Sequence, residues 1–386
     1  MQSFKHITPA SRIFYGPDSL SHICSEIKHS GSKKALIFCD PYLVEEGTLL
    51  KRVQRELSDL CVGIFSDVVP NSPLPNVEAG AREIKRLGAD ALVVIGGGST
   101  TVTARAAAIL AAEDADAHDI CTSRDANGNL KSPKLTKPKL PLLVVPTTPI
   151  TAMIKAGASV LDPVSNKMLA LFDPKTRGRS IFIHPDFVKS MPEKLLLSAS
   201  MSTLAATIDG LLSNSGDPMS DALLIHSLRL LIQALSSPAR LADAGVRCEV
   251  MLATVLCGMG SDYTGFGITV VLGHAICAHF SLNAGFLNGV VLPHALQFNR
   301  TATGGMKKIA TAMGIDAESE GFEAKVVDTA NALLNRLDIP HRLRDVGMPN
   351  EKFDEIATIA MDDWYLHYNP CPVDTIDLKD ILGKAW

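Results

Sequence analysis

The feature that most constrains this chain is a short apolar run that ends in three glycines. Residues 91–95 (Ala-Leu-Val-Val-Ile) are followed directly by residues 96–99 (Gly-Gly-Gly-Ser). This pattern predicts a buried strand, a tight turn and a helix over residues 103–112. Glycine lets the backbone approach a phosphate, and a helix N-terminus attracts an anion, so the turn indicates a phosphate-binding site. A strand–helix turn without a ligand is the alternative interpretation.

Strands and helices alternate through the N-terminal half of the chain. The predicted strands are residues 34–39, 61–66, 91–95 and 142–145, and a helix is predicted over residues 77–87. Such alternation predicts a parallel α/β sheet that binds its ligand at the carboxyl ends of the strands. The polar stretch 113–139, which contains Asn127-Gly128, is predicted to be an excursion loop.

Beyond about residue 185 the strand pattern stops and only helical periodicity remains. The predicted helices are residues 194–213, 221–235, 237–258, 269–280 and 322–337. A chain of 386 residues exceeds the usual size of one hydrophobic core. The sequence therefore predicts two domains, an α/β nucleotide-binding domain over 1–185 and an all-helical substrate domain over 186–386.

Composition excludes several classes of partner. The net charge of −4 gives no basic field for nucleic acid. No apolar run approaches the roughly 18 residues that a membrane span needs, and the N-terminus does not resemble a signal peptide. The eight cysteines are scattered without a C-x-x-C pair, as expected of free thiols in a reducing compartment. We therefore expect a cytoplasmic enzyme with a small-molecule substrate, no nucleic acid and no membrane.

An acidic residue directly follows the first full strand. Asp40 comes after residues 34–39 and before Pro41. A carboxylate at a strand end can accept a hydrogen bond from a ribose hydroxyl and repels a 2′-phosphate, which favours NAD(H) over NADP(H). Asp-Pro is also a common way to start a turn, and both interpretations stay open.

Several motifs together resemble a known family. Residues 96–101 (Gly-Gly-Gly-Ser-Thr-Thr), 145–148 (Val-Pro-Thr-Thr) and 291–294 (Val-Leu-Pro-His) look like the iron-containing (group III) alcohol dehydrogenase family. Residues 11–16 are similar to that family's opening hairpin. Residues 369–373 (Asn-Pro-Cys-Pro-Val) resemble the Asn-Pro-Arg-Pro-Val of its maleylacetate reductase branch, with Cys371 in place of arginine. The resemblance covers essentially the whole chain.

This resemblance implies a Rossmann-like N-terminal domain and a helical C-terminal domain, the architecture shared with dehydroquinate synthase. It also implies a nicotinamide cofactor and a homodimer, for which the N-terminal hairpin would supply an edge. The residues predicted to bind this cofactor are Asp40, Gly96, Gly97, Gly98, Ser99, Thr147 and Thr148.

The family's metal ligands are missing from this chain. Alignment of residues 209–211 with the family's Glu-Ala-Leu, and a count back from His294, gives the four ligand positions. They hold Ser202, Ala206, Val270 and Ala284. Valine and alanine have no donor atom, and a neutral serine is a poor ligand for iron or zinc. A different register moves Asp209 to the first position but leaves Ser213 at the second, so we expect no bound metal.

His274 is the candidate proton donor in place of a metal. The same count places it at an additional histidine of the family's site that is not a ligand, and imidazole exchanges protons near neutral pH. A hydroxyl such as that of Tyr263 is the alternative donor, and a structural histidine in a helix is the alternative role. His279 is expected to lie on another helix face, and His294 is expected to start a helix.

The segment after Pro146 also departs from the family. Its small, glycine-containing loop is replaced here by residues 149–153 (Pro-Ile-Thr-Ala-Met), which are bulkier and stiffer. The residues expected to line the substrate pocket are mostly apolar: Ile150, Met153, Ser202, Ala206, Val270 and Ala284. One turn into the helix after the glycines, Arg105 replaces a lysine of dehydrogenase relatives, and it is expected to neutralise a phosphate or face solvent.

These observations favour a metal-independent NAD(P)H-dependent reductase that acts on a small, fairly apolar carbonyl, imine or enone, such as a secondary-metabolite intermediate. A non-redox acid–base enzyme, catalysing a dehydration, isomerisation or cyclisation in the same site, is the alternative. An inactive binding protein is the third possibility. Maleylacetate is disfavoured as substrate because Cys371 removes a cationic partner for a dicarboxylate.

Overall fold

The computed structural model describes residues 3–125, 130–280 and 282–386. They form two compact units. The α/β unit is Pro9–Met191, and the helical unit is Pro192–Trp386 together with the N-terminal segment that ends at Thr8. The boundary predicted after residue 185 lies close to this division, with a short helix that starts at Pro185 belonging to the α/β unit.

The α/β unit is built on a six-stranded parallel sheet. The strands within the described residues are β1 (Arg12–Tyr15), β2 (Ala35–Cys39), β3 (Cys61–Phe65), β4 (Ala91–Gly96), β5 (Ser123–Arg124), β6 (Leu130–Lys131), β7 (Leu142–Pro146), β8 (Gly157–Asp162), β9 (Lys167–Phe172) and β10 (Gly178–Ile183). The sheet has the order β1-β10-β7-β4-β2-β3, and all its pairings are parallel. The two remaining pairs, β5–β6 and β8–β9, are small antiparallel hairpins.

Helices cover both faces of this sheet. They are α1 (Ile23–His29), α2 (Pro41–Glu46), α3 (Thr48–Leu57), α4 (Leu74–Leu87), α5 (Gly98–Glu113), α6 (Ala117–Ile120) and α7 (Pro185–Lys189). Ile37 and Val93 pack with the helices α1 and α3 on one face, whereas the Phe38 ring contacts α4 on the other. Because both faces are covered, every residue of β2, β4 and β7 is buried, as their continuous apolar sequences predict.

The sequence prediction missed several details of this unit, among them the sheet strand β10. Residues 12–15 form an edge strand parallel to β10 and not an opening hairpin. The β8–β9 hairpin was not predicted, although Ala158 and Val160 alternate with more exposed neighbours at the strand period. The expected excursion loop over 113–139 contains α6 and the short β5–β6 pair, and Asn127-Gly128 lies outside the described residues.

The helical unit contains nine α-helices within its described residues. They are α8 (Glu193–Leu212), α9 (Pro218–Ala234), α10 (Ala244–Thr264), α11 (Ile268–His279), α12 (Ala284–Phe298), α13 (Thr303–Met313), α14 (Phe322–Leu334), α15 (Phe353–Met361) and α16 (Thr375–Ala385). One apolar core joins α11, α12, α15 and α16. His294 lies inside α12 and does not start a helix, because Pro293 is accommodated within that helix.

Among the described residues of this unit, two helices are long and apolar enough to cross a membrane by length and composition, contrary to the expectation from the sequence. They are α8 and α10, and 83% and 61% of their most apolar windows are buried inside the protein. Core helices of soluble proteins pass the same test, so this is weak evidence for a membrane span.

The predicted fold class, a parallel α/β domain followed by a helical domain, is confirmed.

Candidate functional site

Three sequence motifs meet at one edge of the α/β sheet. The strands β2, β4 and β7 are neighbours, with Cys39 paired to Ile95 and Gly96 paired to Pro146. Because parallel strands end at the same edge, Asp40, the glycines and Thr147 follow three adjacent strand ends. The Thr147 N–H donates to the Gly96 carbonyl oxygen at 3.0 Å, which joins two of the motifs directly.

The turn from β4 into α5, residues 96–99, leaves little room for a side chain at any of its three glycines; we call it the glycine turn. A Cβ on Gly96 would lie 2.8 Å from the Asp40 carboxylate, and a Cβ on Gly97 would lie 3.0 Å from the Thr148 hydroxyl. Gly97 is the N-cap of α5 and supplies no side chain to cap it. The first N–H groups of α5 therefore have no partner within the helix, which is the arrangement that binds a phosphate.

Asp40 contacts the glycine turn. Its carboxylate accepts a hydrogen bond from the Thr100 hydroxyl and another from the Gly97 N–H at 3.3 Å. Burial raises the pKa of Asp40, although these two hydrogen bonds oppose the shift. Both carboxylate oxygens thus help to fix the turn, and each retains a further lone-pair direction for a ribose hydroxyl.

Sequence reasoning missed a serine that supports the start of α5. Ser72 is buried and has a positive φ of 50°. Its hydroxyl donates to the Ser99 carbonyl oxygen and accepts from the Thr103 hydroxyl, both at 3.0 Å. The only sequence signal was the turn-forming Asn71-Ser72-Pro73 run that follows β3.

Arg105 neither faces solvent nor is placed to meet a phosphate, so both expectations for it are wrong. Its side chain is fully buried, and the guanidinium donates to the carbonyl oxygens of Thr176, Gly157 and Ala152 at 3.1, 3.0 and 2.6 Å. Burial, with a smaller effect from the charge of Arg177, lowers its pKa to about 9. Arg105 therefore ties the segment that follows Thr148 to α5.

The two bulky residues of that segment have different surroundings. Ile150 is 36% exposed, and its Cδ1 lies 2.7 Å from the position that a Cβ on Gly98 would occupy. Met153 has no exposed surface, and its carbonyl oxygen packs against Gly178. Met153 is therefore a core residue and does not line a pocket, whereas Ile150 lies directly on the glycine turn.

In the helical unit, the four expected ligand positions lie on three helices that pack together. Ser202 and Ala206 are one turn apart on α8, Val270 is on α11, and Ala284 begins α12. Only the serine has a donor atom. Throughout the described part of the chain, no group of three or more His, Cys, Asp and Glu side chains is placed to hold a metal ion. These residues do not fit the iron or zinc that the resemblance implies.

Asp209 is not available as a ligand in the alternative register either. It is fully buried, and its Oδ2 accepts from the backbone N–H groups of Gly267 and Val270, both at 3.0 Å. Its Oδ1 accepts from the Thr269 hydroxyl at 2.8 Å. Burial raises the pKa of Asp209 to about 6 against the effect of these bonds. The carboxylate caps the N-terminus of α11, the helix that contains His274.

His274 is solvent-accessible and paired with an acidic residue. Its imidazole is 53% exposed, and Nδ1 lies 3.0 Å from Oδ2 of Asp363. The other Asp363 oxygen accepts from the Tyr365 N–H at 2.9 Å. Sequence reasoning missed Asp363, because 89 residues separate it from the histidine. As expected, His279 does not pair with His274; it contacts Glu355 instead.

The hydroxyl of Tyr263, the alternative proton donor, is hydrogen-bonded to the backbone within the helical unit. Its hydroxyl donates to the Ile7 carbonyl oxygen and accepts from the Ile7 N–H, both at 2.6 Å. Its ring stacks on the imidazole of His6, whose Nδ1 lies 3.0 Å from Asp217. The phenolic proton is already donated within the unit, so this geometry favours His274 over Tyr263 as the proton donor.

Comparison with known proteins agrees with these features. The model of the iron-containing alcohol dehydrogenases matches residues 10–185, and that of the family's C-terminal region matches residues 197–386. Lactaldehyde reductase of Escherichia coli (strain K12) is 29% identical over 382 residues, which cover 97% of each chain. Maleylacetate reductase of Burkholderia cepacia is 26% identical over 388 residues, covering 100% of this chain and 98% of the relative.

Solved structures of related fold cover the same length. A 1,3-propanediol oxidoreductase has a TM-score of 0.90 at 22% identity, with 100% of both chains covered. A sulfoacetaldehyde reductase from Bifidobacterium kashiwanohense, solved in complex with NAD+, has a TM-score of 0.88 at 18% identity, covering 100% of this chain and 99% of that one. The chain therefore belongs to the iron-containing alcohol dehydrogenase family of oxidoreductases.

Proposed function

We propose that this protein is a metal-independent NAD(P)H-dependent reductase of a small, fairly apolar carbonyl, imine or enone. The observation on which the proposal rests is the glycine turn at the end of β4. Its backbone leads into an uncapped helix N-terminus and lies beside the motifs that follow β2 and β7. An enzyme without a nucleotide has no need of such a turn.

The residues around this turn fit a nicotinamide dinucleotide. The N–H groups at the start of α5 would hold the pyrophosphate, with Gly96, Gly97, Gly98 and Ser99 allowing close approach. Thr147 and Thr148 follow the adjacent strand, and Asp40 is placed to accept from a ribose hydroxyl. Its carboxylate would repel a 2′-phosphate, so NAD(H) is the expected cofactor. When bound, the reduced cofactor supplies a hydride to the substrate.

Metal independence rests on the chemistry of the donor set. In relatives that hold a metal, the ion polarises the substrate oxygen as a Lewis acid. Here Ser202, Ala206, Val270 and Ala284 give one neutral hydroxyl in place of a ligand set. A proton donor must then neutralise the charge that develops on the substrate oxygen, and the accessible imidazole of His274 is the candidate.

The substrate class follows from the same residues. Val270 and Ala206 are apolar and mostly buried, and Ala284 is small and exposed at the start of α12. Such surroundings suit an apolar group better than a carboxylate. Cys371 takes the place of the arginine of the maleylacetate reductase branch, which removes a cation for a dicarboxylate. A small, uncharged carbonyl compound is therefore the expected substrate.

Non-redox acid–base chemistry is the second candidate, and one observation favours it. Ile150 lies against Gly98, over the backbone that a phosphate would approach. A histidine with a carboxylate partner would suffice for a dehydration or an isomerisation without any nucleotide.

A nucleotide titration separates the two candidates. We would treat the protein with a chelator and titrate it with NADH and NADPH, following nicotinamide fluorescence and the heat of binding. The reductase predicts micromolar binding that survives chelation, with NADH preferred. It also predicts NADH oxidation with at least one of propanal, lactaldehyde and cyclohexenone. Absence of binding at millimolar nucleotide would favour the acid–base enzyme, and activity that appears only with added metal would contradict metal independence.

The position of Ile150 gives a further prediction. Because its Cδ1 lies over Gly98, Ile150→Ala should open the glycine turn and lower the Kd for NADH roughly threefold to tenfold, about 1 kcal/mol. Ile376→Ala, at a residue 72% exposed in the helical unit, is the matched control and should leave the Kd unchanged. A Kd that does not change, or rises, in Ile150→Ala would show that this side chain does not obstruct the nucleotide.

A further inference from the structure

The residue Asp363, which pairs with His274, begins a segment of the helical unit that is anchored by several contacts. Asp363 is the N-cap of the short helical turn Trp364–Tyr368 and accepts from the Tyr365 N–H. The ring of Tyr368 packs on Gly265, where a Cβ would collide with the ring and where φ is +60°. The Tyr365 ring packs between those of Phe266 and Trp364, at 4.7 and 4.1 Å.

The end of the same segment is fixed by a pair of amides. Asn369 and Asn299 exchange two hydrogen bonds, at 2.9 and 3.0 Å, and both side chains are buried. Asn369 also donates to the Cys371 carbonyl oxygen at 2.8 Å. The Asp363 carboxylate therefore lies at the start of a stretch whose following turn and end are both anchored.

Asp363 determines which ring nitrogen of His274 is available. An ionised carboxylate only accepts hydrogen bonds, so the Nδ1 atom beside Oδ2 must carry a hydrogen. The hydrogen bond at one imidazole nitrogen sets the state of the other, so Nε2 is left as the atom that exchanges a proton. The Tyr365 N–H engages Oδ1, so the carboxylate cannot turn without losing that bond.

We propose that Asp363 is a positioning residue that holds His274 with Nδ1 protonated, so that Nε2–H donates the proton in the reduction. This inference rests on the proposed function for its chemistry. A hydride from the reduced nicotinamide adds to the carbonyl carbon, and the π electron pair moves onto oxygen. That oxygen forms a bond to the Nε2 proton as the Nε2–H bond breaks. His274 is then neutral and still donates through Nδ1 to Asp363.

The test compares Asp363→Asn with the wild-type protein. In this variant the amide oxygen can keep its hydrogen bond from the Tyr365 N–H, which turns the amide NH2 group toward His274. The NH2 group can donate to Nδ1 only if Nδ1 carries no hydrogen. We expect the 15N resonance of Nδ1 to move from the protonated to the unprotonated type, with His274 assigned by comparison with His274→Asn. We also expect kcat for NADH-dependent reduction of propanal to fall about 10²-fold with KM little changed. Asp363→Glu should recover part of kcat, and Asp354→Asn, which removes an exposed charge on α15, should match wild type.

The outcomes distinguish this inference from the proposed function. An unchanged tautomer or an unchanged kcat in Asp363→Asn would overturn the inference while leaving the reductase intact. A fall in kcat with the Nδ1 resonance unmoved would also overturn it, since the loss would then not pass through His274. A wild-type protein that binds no nucleotide and reduces none of these carbonyls rejects the reductase together with the proton-donor role. The NMR measurement uses no substrate, so it still decides whether Asp363 orients the ring.

Discussion

Replacement of Arg105 by methionine should lower the free energy of unfolding by about 3–5 kcal/mol. The side chain is fully buried and donates to the carbonyl oxygens of Thr176, Gly157 and Ala152. Methionine fills a similar volume but removes the guanidinium from these three acceptors, and a buried acceptor that is left unpaired costs about 1–3 kcal/mol. Part of this loss is offset because burial disfavours the charged guanidinium, as its lowered pKa indicates.

Urea unfolding followed by circular dichroism measures the effect, and hydrogen exchange over residues 149–178 should report it locally. Arg82→Met is the control, because Arg82 is 71% exposed and its ion pair with Glu78 is 3.9 Å long. We expect that change to stay within about 0.5 kcal/mol. If Arg105→Met unfolds at the same urea concentration as the wild type, the three carbonyl groups do not depend on the arginine.

Replacement of Asp209 by asparagine should change how the free energy of unfolding depends on pH. Burial raises its pKa to about 6 in the folded protein, whereas an unfolded aspartate titrates near 3.9. Between these pH values the unfolded chain loses its proton first, so the free energy of unfolding falls as pH rises through this window. Asparagine does not titrate. The stability of Asp209→Asn relative to wild type should therefore improve by about 2–3 kcal/mol between pH 4 and pH 7.

Asp217→Asn is a control in which the effect on stability should depend on pH in the opposite direction. Burial alone would raise the pKa of Asp217, but hydrogen bonds from His6 and from the N–H groups of Ser220 and Met219 outweigh it and lower the pKa. This carboxylate therefore stabilises the fold above its unfolded pKa, and that contribution is lost as pH falls through the folded pKa. The cost of Asp217→Asn should be largest near neutral pH and shrink in acid. Parallel pH profiles for the two variants would contradict the assignment of opposite shifts.

Local sequence patterns were enough to predict the part of the candidate site that lies at the ends of the parallel strands. The three motifs at Asp40, the glycines and Thr147 are each adjacent to a continuous apolar strand, and parallel strands bring their ends together. Each motif directly follows its strand in the chain, so the local sequence is enough to predict it.

The partners of single charged side chains could not be predicted in the same way. Arg105 bonds carbonyl groups 47 to 71 residues away, and Asp363 meets a histidine 89 residues away. Nothing in the local sequence marks a carbonyl oxygen as an acceptor, because every residue has one. Met153 was assigned to a pocket on its chemistry, and only its complete burial against Gly178 shows that it belongs to the core.

The contact of Tyr263 with Ile7 has a consequence for the order in which the chain can fold during synthesis. The residues that pair with His6 and Ile7 follow 211 and 256 positions later. The α/β unit, by contrast, is complete once Met191 has left the ribosome. Because domains fold as units while the chain is being made, the α/β unit can fold before the partners of His6 and Ile7 have been synthesised. His6 and Ile7 therefore emerge before the α/β unit but find their partners after it, and a helical unit expressed from residue 192 onward would lack them.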